Sequence, residues 1–375
     1  MILFLVDMPQ PTHGMSSINQ QMWLRCKQAG VDVRLINTVP SFAAGLFHTR
    51  WWFVLKLFHS LLVFARLLLC LLFNKPVLVY RSLNGGIGQL FDLCFLLLLR
   101  FSRAQVVLHH HSFSYLHQPS ALFRLVLRLL KPEDRHLVLG APMASQLRTL
   151  YQVRSESIRT ISNLSFFAQD EHHADKEQQG FNSTGVPLKL GHLANLSFEK
   201  GLREFVDVVI TLNQSGVATQ AVLAGPYSSP EVADYVMAQT SKFPFIQSIG
   251  SVYGPDKQRF LADLDLFLFP SKYVNEAEPL VLFEAAQQGV LLAGTGRGCM
   301  AEQIKLFEGF CFTETMAAVD VAREIAVLHA AGVFAAPNKA ARQSSFAKVQ
   351  TQSQRQLQQI IDYFKDGYVP ESSAV

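Results

Sequence analysis

The sequence predicts an α/β protein built of two doubly wound, Rossmann-like domains. Short apolar runs alternate with stretches of helical periodicity along nearly the whole chain, the pattern of parallel strands joined by crossover helices. The chain has 375 residues, long for one domain and sufficient for two, each able to bury a core. Between the two series lies a polar, glycine-containing stretch without periodicity, residues 166–185, which reads as the linker.

In the first domain, residues 1–165, Ile2–Val6 is an unbroken apolar run and reads as a strand buried on both faces. A Gly14-Met15-Ser16-Ser17 turn leads to a helix over about 18–29 and a strand over 31–36. Apolar runs over 77–80, 106–110, 136–139 and 160–161 continue the parallel series. The second domain, residues 186–352, restarts with runs over 188–193, 218–225, 246–248, 264–269 and 290–293. A polar stretch then precedes a closing helix from about 353, periodic to 364 and taken to run to about 372.

The most informative motif is Glu276 and Glu284, with seven residues between them. The run 265–269 stops at Pro270-Ser271, a strand end, and Pro279 suits the first turn of a helix, where its missing N–H costs nothing. Glu276 is therefore expected in the strand-to-helix loop and Glu284 on the early turns of the helix. Both would face the crevice outside the carboxyl ends of the strands, where open α/β sheets take ligands. The free N–H groups of that helix start, beside Pro279 and from Leu280 onward, suit an anion such as a diphosphate. A solvated acidic loop before an ordinary amphipathic helix would share the spacing. The surrounding frame argues for function: strand, Pro-Ser, Pro-Leu, Glu-Ala, then Gly289, another apolar run and the turn Gly294-Thr295-Gly296-Arg297-Gly298. In that frame the pair resembles the E-x7-E signature of retaining glycosyltransferases of the GT-B fold, especially glycosyltransferase family 4.

That resemblance implies two domains facing across a cleft, an acceptor in the first, a nucleotide-diphosphate sugar in the second, and a last helix crossing back to the first. It implies that Glu284 bonds the ribose hydroxyls and Glu276 the donor sugar hydroxyls. Gly191-His192-Leu193 followed by Glu199-Lys200-Gly201 resembles the family's Gly-Arg-Leu and Lys-Gly element, whose lysine meets the leaving diphosphate. The usual arginine is missing; His192 and Asn195 stand near its place. Gly14 and Met15 resemble the glycine loop that approaches the donor phosphates, and Leu223-Ala224-Gly225-Pro226 resembles the strand-to-loop element at the nucleotide. His109-His110-His111 ends an apolar run. Neighbours on a strand alternate faces, so three in a row do not converge on one ion. By resemblance His111, followed by Ser112-Phe113, is the histidine beside the donor sugar, with His109 on the same face as the alternative. The plainer reading is a hydrogen-bonded histidine at a strand end. With Lys200 and helix starts in the place of a cation, neither metal nor cofactor is expected.

The net charge of +4 conceals an asymmetry. Residues 1–165 carry 17 Lys/Arg against 6 Asp/Glu, net +11, and the rest 16 against 23, net −7. The first half is expected to meet an anionic surface. No nucleic-acid-reading motif appears, so a membrane is the better candidate. Residues 51–73 contain only Lys56, His59, Ser60 and Arg66 as strongly polar groups, within an arc of about 120° on a helix. Their length permits a span, but Lys56 and Arg66 would each cost about 3 kcal/mol near the bilayer centre. A helix lying on the membrane or packed on the sheet is therefore expected over a span. Pro119-Ser120 opens a second helix over 121–131 whose Arg124, Arg128 and Lys131 share a face, in the plainer reading a solvated one.

The chain opens on an apolar run without a basic leader, read as a strand and not a signal peptide. Its five cysteines show no paired spacing, so a reducing cytoplasm is expected. Three motifs are set aside as decoys. Asp263-Leu264-Asp265 spells D-x-D but precedes a buried strand instead of following one. The acid–histidine run 170–175 lies in the linker. Asn84-Gly85-Gly86-Ile87-Gly88 does not give GxGxxG and reads as a mobile acceptor-side loop. The expectation is a retaining hexosyltransferase using a UDP- or GDP-sugar. It would act on a lipid-linked or glycan acceptor in bacterial surface polysaccharide assembly, at the inner face of the membrane. A GT-B epimerase, a phosphorylase (for which no pyridoxal lysine stands out) and a catalytically silent binding module are the alternatives.

Overall fold

A computed structural model describes residues 1–46, 49–167 and 186–366. The expected linker from 168 onward, the acid–histidine run 170–175 and the closing helix beyond 366 lie outside the described residues. Packing divides the chain into two compact units, Met1–Phe167 with Thr351–Val375, and Ala168–Gln350.

The first unit runs β1 (Ile2–Val6), α1 (Gly14–Gln28), β2 (Val33–Asn37), α2 (Arg50–Leu69), β3 (Leu78–Leu83), α3 (Gln89–Arg100), β4 (Gln105–His110), α4 (Ala121–Leu129), β5 (Arg135–Val138), α5 (Ala141–Tyr151) and β6 (Ile158–Thr160). Its six strands lie in the order β2-β1-β3-β4-β5-β6, every pair parallel. Leu3, Phe4, Leu5, Val79, Val107 and Leu108 are buried in the central strands, each contributing about 1.5–3 kcal/mol as its side chain leaves water. The order reverses between β1 and β3, which opens a crevice at their carboxyl ends.

The second unit runs β7 (Leu188–Leu193), α6 (Leu202–Gln214), β8 (Thr219–Ala224), α7 (Pro230–Lys242), β9 (Ile246–Ser248), α8 (Gly254–Ala262), β10 (Leu266–Phe269), α9 (Leu280–Gln287), β11 (Leu291–Thr295), α10 (Met300–Leu306), β12 (Phe310–Phe312), α11 (Ala318–Ala330) and α12 (Ala336–Asp366). Its strands are ordered β12-β11-β10-β7-β8-β9, again parallel, with the reversal between β7 and β10. Phe205, Val206, Val209 and Leu212 of α6 and Val321 and Ile325 of α11 cover one face of this sheet. Two Rossmann-like α/β units of this kind make the GT-B fold.

Several elements differ from the sequence reading. Helix α1 starts at Gly14 because His13 caps it: His13 Nδ1 accepts from the Ser16 amide at 3.3 Å and Ser16 Oγ from the His13 amide at 3.0 Å. Gly14 and Met15 therefore form the first turn of a helix, not a loop. The polar stretch before the closing helix is itself helical, since Arg342 Nε donates to Gly289 O at 2.8 Å and Lys339 Nζ to Leu264 O at 2.8 Å. Residues 336–350 of α12 thus belong to the second unit and 351–366 to the first. Asn84–Gly88 is no free loop. The Asn84 amide donates to Asp92 at 3.0 Å, and a Cβ on Gly85 or Gly88 would come within 2.8 Å of Ser112 Oγ or 2.7 Å of the Asn84 side chain.

Candidate functional site

In the second unit the loops that leave β7 and β10 meet at the reversal of strand order. Ser197 caps a 3-10 turn, Phe198–Lys200, through the Lys200 amide at 3.2 Å. Gly201 follows at φ +82°, and a Cβ there would stand 2.1 Å from Pro270 O. Only glycine lets this turn press against the end of β10, which explains the Lys-Gly pair physically. The chain after β10 passes Ser271 and reaches Glu276 in a loop, as its spacing implied. Lys200 Nζ lies 2.5 Å from Glu276 Oε2, and Ser271 Oγ donates to the same oxygen at 3.0 Å. The Lys200 ammonium also sits 4.5 Å from the Tyr273 ring centre.

Residues at the end of β11 and after it fix this loop. Gly298 at φ +58° passes so close that a Cβ would stand 2.5 Å from Glu276 O. The Cys299 amide donates to Ala277 O at 2.8 Å, Gln303 Nε2 to Pro279 O at 2.8 Å, and Thr295 Oγ1 to Ser271 O at 2.5 Å. Pro279 is the N-cap of α9, with Leu280 its first residue, one position later than the sequence reading placed it. Glu284 lies on the second turn of α9, its carboxylate 2.6 Å from Lys257 Nζ of α8. Two more cations on the carboxyl-end loops are paired, Lys272 with Glu204 and Arg297 with Glu314.

Gly225 ends β8 at φ +126°, where a Cβ would stand 1.7 Å from Ala194 O, so the loops after β7 and β8 touch through it. Asn195 is exposed on the first of these loops. His192 does not join the site. It is fully buried between Phe205 and Phe269, and its Nδ1 donates to Leu268 O at 3.1 Å. Burial pushes its pKa down to about 4, so it is neutral and supplies no charge in place of an arginine.

Asp263 and Asp265 lie at the amino end of β10, the opposite end of the strand from Glu276. Asp265 accepts from the Lys189 amide at 2.9 Å and Asp263 pairs with Lys189 Nζ at 2.7 Å. These carboxylates tie strands together.

In the first unit His13, Gly14 and Met15 follow β1, and His111 follows β4. A Cβ on Gly14 would meet nothing within 4 Å, so the space around that residue is open, while the Ser16 amide is taken by His13. The three histidines alternate faces. The His109 and His111 ring centres lie 4.0 Å apart with the rings tilted by 50°, and His109 Nδ1 is 2.5 Å from the Tyr80 hydroxyl. His110 points the other way, 2.9 Å from the Tyr115 hydroxyl and 3.0 Å from His136 Nδ1. Among the described residues no three His, Cys, Asp or Glu side chains converge as metal ligands. Burial first, then the nearby His13, pushes the His111 pKa down to about 3, and its buried Nε2 has no partner among the described residues.

The sequence missed Lys257 as the partner of Glu284, because 27 residues separate them with no pattern in between. It also missed the clamp from Thr295, Gly298 and Gln303, whose only trace was the glycine-rich turn.

Residues 174–345, a little under half the chain, match the family model of glycosyl transferases group 1. No curated protein sequence matches the chain. Among solved structures it is similar to sucrose-phosphate synthase from Thermosynechococcus elongatus, at 14% identity and a TM-score of 0.71, covering 98% of this chain and 100% of that one. It is similar also to HepE from Anabaena in complex with UDP, at 15% identity and a TM-score of 0.66, covering 96% and 99%. A glycosyltransferase from Rickettsia africae shows 12% identity and a TM-score of 0.67, covering 98% and 99%.

Proposed function

We propose that this protein is a retaining glycosyltransferase that moves a hexosyl group from a nucleotide-diphosphate sugar to a hydroxyl acceptor. The observation that carries this reading is the meeting of Lys200 and Glu276, 76 residues apart, at 2.5 Å where the second sheet reverses its strand order. Open α/β sheets bind nucleotides at that point. The E-x7-E spacing, the Lys-Gly turn and the group 1 match over the same residues support it, and HepE crystallises with UDP and with UDP-glucose.

In this reading Glu284 accepts from the ribose hydroxyls while Lys257 holds its carboxylate in place. Glu276 accepts from hydroxyls of the donor sugar. Lys200, bonded to that carboxylate, and the amides at the start of α9 stabilise the diphosphate as its bond to the anomeric carbon lengthens. The anomeric centre gains oxocarbenium character, and the acceptor hydroxyl attacks from the side the diphosphate leaves, its proton passing to the departing diphosphate oxygen. Neutral His111 of the first unit is assigned a hydrogen bond to a sugar hydroxyl. The reaction needs no metal, since Lys200 and a helix start take the place of a cation and the D-x-D carboxylates lie at the other end of β10. The acceptor is lipid-linked or glycan, in bacterial surface polysaccharide assembly at the inner face of the membrane.

The purified chain incubated with UDP-glucose, or with a GDP-hexose if the base differs, should release nucleoside diphosphate slowly, and faster once a hydroxyl acceptor is supplied. The rate should survive saturating chelator, and the product should keep the donor's anomeric configuration by NMR. Absence of both binding and turnover with all nucleotide sugars tried would leave a silent GT-B module. Loss on chelation, restored by manganese, would overturn the metal-free route.

A further inference from the structure

The apolar helix α2 is mounted the wrong way round for a soluble protein. At about 100° per residue its buried side chains, Trp52, Ser60, Val63 and Leu67, with Cys70 beyond, fall within an arc of about 80°. Its polar residues point to the same side. Lys56 is half-buried 5.3 Å from the Phe91 ring, Ser60 Oγ donates to Lys56 O at 2.7 Å, and His59 Nε2 donates to Asn37 O at 3.1 Å. The remaining arc, about 200° wide, faces outward and carries a single charge, Arg50 at the start of the helix. Trp51, Leu57, Phe58, Leu61, Leu72 and Phe73 stand on it, 55–78% exposed. Leu90, Leu97 and Phe101 of the adjoining α3 are exposed as well. Together this surface is on the order of 1,000 Å², beyond the few hundred that a soluble monomer ordinarily shows.

We propose that the outward face of α2 is the docking surface of the first unit on an anionic lipid bilayer, with the helix lying in the plane of the interface. Arg50 and Lys75 mark the two ends of the apolar stretch, Arg66 stands on it, and Arg100 and Arg103 close α3; all five are exposed. They lie within a segment of net charge +11. Such a surface suits anionic headgroups around an inserted apolar face. A second copy of the chain would bring the same positive charge against itself. The stretch Arg50–Asn74 is long and apolar enough to cross a membrane. However, its inner stripe is packed on β2 and α3 from Trp52 to Cys70, and a helix crossing the bilayer would have to leave that packing. His59 of the helix bonds Asn37 O, and Asn37 Oδ1 accepts from the Met8 amide at 3.1 Å, so the docked helix adjoins the loop that leads from β1 to His13. If the transferase reading above holds, an acceptor resident in the bilayer would enter there.

The test is sedimentation of the full chain with vesicles, which needs no enzymatic activity. Binding to vesicles of equimolar phosphatidylcholine and phosphatidylglycerol should exceed binding to phosphatidylcholine alone and weaken as salt rises. Leu57→Glu with Leu61→Glu should cut binding at least about a hundredfold, since two leucines lose their burial in lipid. Both side chains point away from the fold, and unchanged circular dichroism would show that it is intact. Arg124→Glu with Arg128→Glu on α4 should weaken only the salt-sensitive part. Three results would overturn the proposal: no binding to either vesicle, a lipid-free dimer that the leucine variants dissociate, or membrane association resistant to alkaline carbonate, which means a span. UDP-sugar turnover in detergent-free buffer reports separately on the catalytic reading.

Discussion

At the carboxyl ends of its strands the first unit gathers His13, His109 and His111, while the second gathers Lys200, Lys257, Lys272 and Arg297, each against a carboxylate. The fold is the same, yet desolvation acts differently in the two. In the first it strips the imidazoles of charge and leaves neutral rings that can bond hydroxyls without attracting anions. In the second, each cation pairs with an acid, and a bound diphosphate would compete with that acid. The comparison teaches that one architecture can furnish the same strand ends with neutral rings in one unit and with ion pairs in the other, through how its loops pair buried groups.

The largest expected effect lies on the ionic side. Lys200→Ala leaves the Glu276 carboxylate buried without its cation and removes the charge that meets the leaving group. Removing a key electrostatic donor costs about 3–4 kcal/mol, so turnover of UDP-glucose should fall on the order of 100–1,000-fold. Unchanged turnover would mean that the leaving group is not stabilised in this unit.

The neutral side should be exposed by acid. His109, His110, His111 and His136 are all held below their ordinary value of 6.5 by burial, His111 to about 3 and His136 to about 4, whereas in the second unit His192 is so held. Between those folded values and 6.5 the unfolded chain binds more protons, so stability falls as pH drops below 6.5. Each such histidine contributes a slope of up to about 1.4 kcal/mol per pH unit. The three tryptophans, Trp23, Trp51 and Trp52, all lie in the first unit. The urea midpoint followed by tryptophan fluorescence should therefore drop more steeply from pH 6.5 to 5 than protection of second-unit amides in hydrogen exchange. Equal drops in both would erase the distinction.

Glu284→Ala should do least. Ribose would lose an acceptor while Lys257 remains free to reorient, a loss of about 1–3 kcal/mol, or roughly 5–150-fold in nucleotide-sugar affinity. Titration calorimetry measures it. An unaltered affinity together with a lower Tm would reduce Glu284 to a tie between α8 and α9.

Much of this was legible in the chain because the signals were local. Parallel strands buried on both faces read as unbroken apolar runs, and the run before Pro270 fixed where the Glu276 loop begins. The Lys-Gly step carried its own explanation, a left-handed glycine pressed on Pro270. What escaped was non-local or chemically unusual. A histidine rarely caps a helix, so the start of α1 was read late. The burial of His192 depends on α6 and β10 closing over it, which no window around residue 192 contains. Likewise the polar first half of α12 showed no apolar period, because Lys339 and Arg342 bond to carbonyls of α8, β10 and α9 neighbours instead of burying a greasy face.

That long helix has a consequence for the order of assembly. Its last turns complete the first unit: Phe364 stands 6.1 Å from Tyr80, and Ser165 Oγ donates to Ser353 O at 2.9 Å. Leu357, Ile360 and Ile361 are buried beside them. During synthesis these residues emerge only after the entire second unit has been made. The earlier half of the protein must therefore wait with part of its core uncovered, next to an already apolar exterior, until the final stretch arrives. Contacts that span more than 250 residues of sequence are the ones that finish its beginning.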